Sequence, residues 1–120
     1  MTDIRTGPPT SDLLSMTTAC SDAGVRVSLV GEVDSSTTPQ LTDCLDRLLS
    51  ASPAEVVIDL TQVTFLDSAG LHALVLAHGR ASGQGTRLRV LVATRAVERP
   101  IQVTGLWDIL GVEQVQPGAA

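Results

Sequence analysis

The stretch Asp67-Ser68-Ala69-Gly70 sets a carboxylate beside a hydroxyl and follows them with two small residues, between apolar runs that end at Leu66 and restart at Leu71. If Ser68 caps a following helix, its hydroxyl lies among free backbone N–H groups at the positive end of the helix dipole. Such a place also tolerates a phosphoryl group, whose oxygens can accept those N–H bonds. Ala69 and Gly70 would leave room for another protein to approach the hydroxyl. A second acid-bearing turn, "GEVDSSTTP" over residues 31–39, carries Asp34. Local sequence supports plainer readings too: Ser68 as an N-cap, Asp67 as a cap or turn residue, Asp34 as an acid of a helix-entry loop.

Other chemistries fit less well. A hydrolase would need Ser68 as nucleophile with Asp67 and His72 as base, and His72 does sit four residues on in the same helical run. No further residue pattern orients either histidine, and an interaction protein rather than an enzyme is expected. His72 and His78 are six apart and do not share a helix face, so no metal site is expected, nor any cofactor. Cys20 and Cys44 lack CxxC spacing, which argues against zinc and a disulfide scaffold. Cys44 falls on an apolar stripe and reads as a small core residue, whereas Cys20 stays open.

These turns need elements to position them. "LLSMTTA" (13–19) and "VRVSLVG" (25–31) read as strands joined by the turn "SDAG", forming an antiparallel hairpin. "STTPQLTDCLDRLLSA" (36–51) is a helix whose Leu41, Cys44, Leu45, Leu48 and Leu49 make one stripe. Thr37 or Thr38 can cap it, Pro39 suits its first turn, and Asp43 pairs with Arg47 on the wet side. "AEVVIDL" (54–60) reads as a strand covered on both faces, and "SAGLHALVLAHGRAS" (68–82) as a helix with Leu71, Leu74, Val75 and His78 in line, ended by Gly83 and Gly85. "TRLRVLVA" (86–93) is the next strand. A short helix over 96–106, with Pro100 in its first turn, and a closing strand over 107–115 complete the chain. The order β-β-α-β-α-β-α-β predicts an α/β fold, a mixed sheet with helices packed against it and parallel pairing in its later part. Sites in such sheets gather at the carboxyl ends of parallel strands, where both acid-bearing turns should meet.

Composition narrows the partners. The 120 residues suffice for one core, with 1–11 expected as a loose tail, 12–116 as the domain and 117–120 as a C-terminal tail. One Trp, one Phe and no Tyr leave little for base stacking, and a net charge of −5 opposes phosphate backbones, so nucleic acid is set aside. Trp107 reads as an exposed aromatic. No apolar run approaches the roughly 18 residues that span a bilayer, and the N-terminus lacks a signal-peptide pattern. A cytoplasmic protein with no membrane partner is expected.

Three blocks, in order and at the right spacing, resemble a known family. "GEVDSSTTPQL" is similar to GE-[LIV]-D-x-x-[TN], "VVIDLTQVTFLDSAGLHAL" to the strand, loop and D-S-[STAG]-G-L motif, and "TRLRVLVATRAVERPIQVTGLWDIL" to the strand, short helix and GL turn of STAS domains, specifically stand-alone bacterial anti-anti-sigma factors. The match covers roughly residues 13 to 115. The resemblance implies that Ser68 is phosphorylated by an ATP-binding anti-sigma factor with serine kinase activity, and that a phosphatase is a further partner. The unphosphorylated chain would bind the anti-sigma factor and free a sigma factor; the phosphorylated chain would let go. Asp34 would help present the site, and Thr37, Asp67, Ala69, Gly70, Leu71 and His72 would complete the partner-binding set. A STAS module without a phosphorylation cycle, serving a larger sensor or transporter assembly, is the alternative. Ala69 departs from the Ser or Thr often found after the acceptor. The closing helix of many members is expected to be missing, since the sequence runs only to Ala120.

Overall fold

Leu14 opens the first strand of the computed structural model, which describes residues 14–116. Strands β1 (Leu14–Ser21) and β2 (Gly24–Val33) form the predicted antiparallel hairpin, with Asp22 and Ala23 at its tip. Leu13 and the expected tails lie outside the described residues. Helix α1 (Thr38–Ser50) follows, then β3 (Glu55–Leu66), α2 (Ser68–Gln84), β4 (Arg87–Val92), α3 (Arg95–Val103), α4 (Trp107–Leu110) and β5 (Val112–Gln114). The five strands lie side by side in chain order, β2 through β5 all parallel. The mixed α/β sheet is therefore as the sequence predicts.

Right-handed crossovers between adjacent parallel strands put the helices on one face. There Val27, Leu29, Ile58 and Val90 meet Leu41, Leu45, Leu74 and Ile101 in one core. The alternate residues of the same strands carry charge on the other face. Arg26 pairs with Asp59 at 2.6 Å, and Arg89 holds Glu113 through two bonds of 2.8 Å. Beneath these arginines Val57, Asp59 and Leu91 are buried, so β3 is covered on both faces, by helices on one and by side chains on the other.

Strand β3 runs six residues beyond the predicted end at Leu60. Its register against β2 slips twice, between Ser28 and Val30 and between Gly31 and Glu32, each slip adding a residue on β3. Asp59 braces the first, its Oδ1 accepting the Thr61 amide at 2.9 Å and the Thr61 hydroxyl at 2.7 Å. After the slips the inward residues are Leu60, Val63 and Leu66, spaced by three rather than two. The bulges thus hide the strand from a period-two pattern, and they deliver Leu66 to the core with Asp67 emerging at the sheet's edge.

Three helical expectations need correction. Helix α2 buries Ala73, Leu74, Ala77 and Ala81, leaving His78 half-buried at the side; it continues through Gly83 and stops at Gly85, whose φ of 77° is left-handed. Pro100 is the sixth residue of α3, not in its first turn. Its ring removes the N–H that would bond Ala96, but Val97 and Ile101, both at 0% exposure, anchor the helix on either side and override that loss. Residues 107–110 form a helical turn rather than part of a strand, because Leu110 turns into the core and Gly111, at φ 64°, reverses the chain before the short β5. Trp107 is half-buried against the core, not exposed. Cys44 is buried in α1, which pushes its thiol pKa up, and Cys20 is exposed on β1.

Candidate functional site

Strands β2 and β3 are parallel neighbours, so the turns leaving them lie side by side. A backbone bond joins the two, the Asp67 amide donating to the Val33 carbonyl at 3.2 Å. The Asp34 turn is built from its own side chains. Asp34 Oδ1 accepts the Ser36 hydroxyl at 2.6 Å and the Ser36 amide at 2.9 Å. The Ser36 hydroxyl, first among these bonds, holds the Asp34 carboxyl below its usual range, so Asp34 is a carboxylate at neutral pH. The Thr37 hydroxyl accepts the Asp34 amide at 3.0 Å and donates to the Glu32 carbonyl at 2.9 Å. Thr37 is the N-cap residue of α1, but its side chain closes the turn rather than capping the helix.

Asp67, not Ser68, caps α2. Its Oδ1 accepts the Ala69 amide at 2.9 Å and the Gly70 amide at 3.2 Å, while its carbonyl takes the Leu71 amide at 3.0 Å. Ser68 is the first residue of the helix. This corrects the picture of a phosphoryl group resting among wholly free helix N–H groups, because the carboxylate of Asp67 already occupies the Ala69 and Gly70 amides. Ser68 itself is exposed, and its hydroxyl has no hydrogen-bond partner among the described residues. The hydroxyl of Ser36, the other serine of the site with a defined role, is committed to Asp34.

Gly70 clears space on the inner side, not the outer one. A Cβ placed there would meet Leu66 Cδ1 at 2.5 Å, Val33 Cγ1 at 2.8 Å and the Val33 carbonyl oxygen at 3.2 Å. The missing side chain lets the start of α2 seat on the ends of both strands, which fixes where Ser68 stands. The eight residues named from the sequence therefore divide. Ser68 and His72 are exposed; Asp34, Asp67 and Ala69 are half-buried; Thr37, Gly70 and Leu71 are buried and act from beneath. No hydrogen bond joins His72 to Ser68 among the described residues, and no group of three potential metal-ligating side chains gathers there.

Two residues of this edge escaped the sequence reading. Ser36 follows Asp34 by two positions, the spacing of an Asx turn, and that signal was available. Phe65, 46% exposed at the end of β3, is the other. Only the bulged register turns it outward, so no regular alternation marks it.

A family profile described as "Mlab, STAS domain" matches residues 16–111. The anti-sigma-F factor antagonist RsfB of Mycobacterium tuberculosis is 32% identical over 95 residues, covering 79% of this chain and 77% of RsfB. The anti-sigma-B factor antagonist of Listeria monocytogenes is 27% identical over 92 residues, 77% of this chain and 81% of its own. A crystal structure of an anti-sigma factor antagonist from Mycobacterium paratuberculosis superposes with a TM-score of 0.79 at 32% identity, over 88% of this chain and 87% of that one. Unphosphorylated SpoIIAA shares the fold, with a TM-score of 0.71 at 15% identity over 85% of this chain and 89% of its own. With its parallel edge built around Asp34, Asp67 and Ser68, the chain belongs to the STAS domain family.

Proposed function

We propose that this protein is an anti-sigma factor antagonist, switched by phosphorylation of Ser68. In its unphosphorylated form it binds an anti-sigma factor and releases a sigma factor. The anti-sigma factor is also the ATP-dependent serine kinase that modifies Ser68, and a phosphatase restores the free hydroxyl. Binding uses the surface formed by Asp34, Ser68, Ala69 and His72, with Thr37, Asp67, Gly70 and Leu71 setting its shape. The protein works by contact rather than turnover, in the cytoplasm where transcription is regulated.

One observation carries the switch: an exposed Ser68 hydroxyl, without a hydrogen-bond partner among the described residues, stands at a helix start where Asp67 has already taken the Ala69 and Gly70 amides. A phosphoryl group added there brings about −1.5 to −2 charges where Asp67 already holds two of the first helix amides. It stands beside the carboxylates of the two turns, Asp67 and Asp34, facing whatever binds. Against a partner carboxylate at about 6 Å the repulsion is roughly 1 kcal/mol at water's dielectric and 5 at an effective value of 20. That weakens binding from a few-fold to about a thousand-fold. The core is untouched, so the interface fails while the fold survives.

The test uses the purified ATP-dependent serine-kinase anti-sigma factors of the host, each incubated with this protein and ATP. Intact mass should rise by one phosphoryl group in the wild type and not in Ser68→Ala. Binding should be retained in Ser68→Ala and weakened, by a few-fold to about a thousand-fold, in Ser68→Glu. A wild type that binds yet is never phosphorylated would leave a constitutive binding module, with Ser68 an ordinary first residue of its helix.

A further inference from the structure

Helices α1 and α2 do not close against each other along their outer edge. A groove of about 190 Å³ runs between them, walled by Leu45 and Leu49 on α1 and by Ala73, Leu76 and Ala77 on α2. It is open because α2 presents alanines to α1 where longer side chains would fill the space. Arg80 closes the far end, its guanidinium held by Asp46 Oδ1 at 3.1 Å and Ser50 Oγ at 2.9 Å. Leu76 stands at the mouth, a large apolar side chain with 56% of its surface left exposed by the described residues.

The groove opens on the same helix that begins at Ser68. Ser68, His72 and Leu76 follow at four-residue steps along α2, each about one turn from the last, and all three are exposed. Eight residues at 1.5 Å rise place Leu76 about 12 Å from Ser68 along the helix axis. A partner seated over the acceptor serine and continuing down α2 meets Leu76 next, then the groove.

We infer that this groove takes an apolar side chain of the same anti-sigma factor that reads Ser68, with Leu76 as the anchor on this side. The inference rests on the function proposed above and divides its interface in two. The end at Ser68 answers to charge. The apolar end lies beyond the roughly 8–10 Å over which exposed charges are felt at physiological salt. It supplies affinity that phosphorylation does not remove, so the modified protein keeps a weak hold on its partner. Apolar anchors in pockets are where interfaces concentrate their energy, and Leu76 is placed to be one.

Titration calorimetry against those purified anti-sigma factors tests this, using wild type, Ser68→Glu, Leu76→Ala, Thr42→Trp and Val103→Ala. Thr42 lines the groove from α1, so a tryptophan there plugs it. Val103 is an exposed apolar residue at the far end of α3 and serves as the control. Leu76→Ala and Thr42→Trp should each weaken binding about tenfold or more, the scale of one buried leucine side chain, with Val103→Ala unchanged. Unfolding midpoints equal to wild type for Leu76→Ala would confirm that the fold is intact. Wild-type binding by both groove variants, alongside weakening in Ser68→Glu, would overturn the groove and leave the Ser68 switch standing. Equal weakening in Val103→Ala would also overturn it. A wild type that binds none of these factors would overturn both readings.

Discussion

Replacing Gly70 by alanine, and comparing it with the same change at Gly79, tests whether the start of α2 is seated as described. Both glycines are helical residues of α2, and an exposed helical Gly→Ala change ordinarily stabilises by about 0.5–1 kcal/mol. At Gly79 an added Cβ meets nothing within 4 Å, so that gain should appear in full. At Gly70 it meets Leu66 Cδ1 at 2.5 Å and Val33 Cγ1 at 2.8 Å. Leu66 is 3% exposed and Val33 0%, so neither has space to retreat, and the branched valine has few rotamers to try. Overpacking of this kind costs about 1–3 kcal/mol, which outweighs the helical gain and reverses the sign. Urea unfolding followed by far-UV circular dichroism should show Gly79→Ala more stable than wild type and Gly70→Ala less stable, by up to about 2 kcal/mol. The thermal midpoint should fall by about 3–6 °C for each kcal/mol lost. Because relief of the clash must lift the helix start, Gly70→Ala should also weaken binding to the anti-sigma factor. Equal stabilisation by both variants would refute the close seating of α2 on β2 and β3.

Two further predictions concern the carboxylates. Asp67→Ala removes an N-cap that takes two amides and should cost about 1 kcal/mol in urea unfolding, whereas Asp67→Asn should keep most of the stability. Asp59 gives a pH dependence. Burial by itself would raise its pKa, but the hydrogen bonds from the Thr61 hydroxyl and amide and from Arg26 outweigh it and hold the group below its ordinary 3.8. A depressed folded pKa contributes stability present above the unfolded value and lost as pH falls through the folded one. Unfolding free energy should therefore drop as pH is lowered from about 5 to below 4, and Asp59→Asn should flatten that limb. An unchanged acid limb in Asp59→Asn would assign the loss to other carboxylates.

Much of the site was legible because its parts are local. Asp34 and Asp67 are acids at helix-entry turns, and the parallel pairing implied by alternating strands and helices brings those turns together without knowledge of any distance. The apolar stripe of α1 from Leu41 to Leu49 was equally plain, since a 3.6-residue period needs no partner to be seen. The Asp43–Arg47 pair on its wet side stands as expected, at 3.2 Å. What failed to read were features that depend on a neighbour. The end of β3 escaped because two bulges break its alternation, and a bulge is a mismatch with another strand. Helix α4 looked like strand because "WDIL" is too short to show a period, and it was the fit of Leu110 into the core that decided its form. Pro100 argued for a helix start by its own preference and was overruled by the burial of Val97 and Ile101.

The sequence by itself determined the kinds of element, their order and the chemical groups at the parallel edge, because hydrophobic period and turn chemistry are properties of short segments. Only the tertiary structure decided which of those groups is free. Ser68 and Asp67 were interchangeable as caps on paper, since either can accept an amide proton. In the folded chain the Asp67 amide is tied to the Val33 carbonyl, and Gly70 lets α2 close onto Val33 and Leu66. The Asp67 carboxylate takes the helix amides, and the Ser68 hydroxyl is left facing solvent.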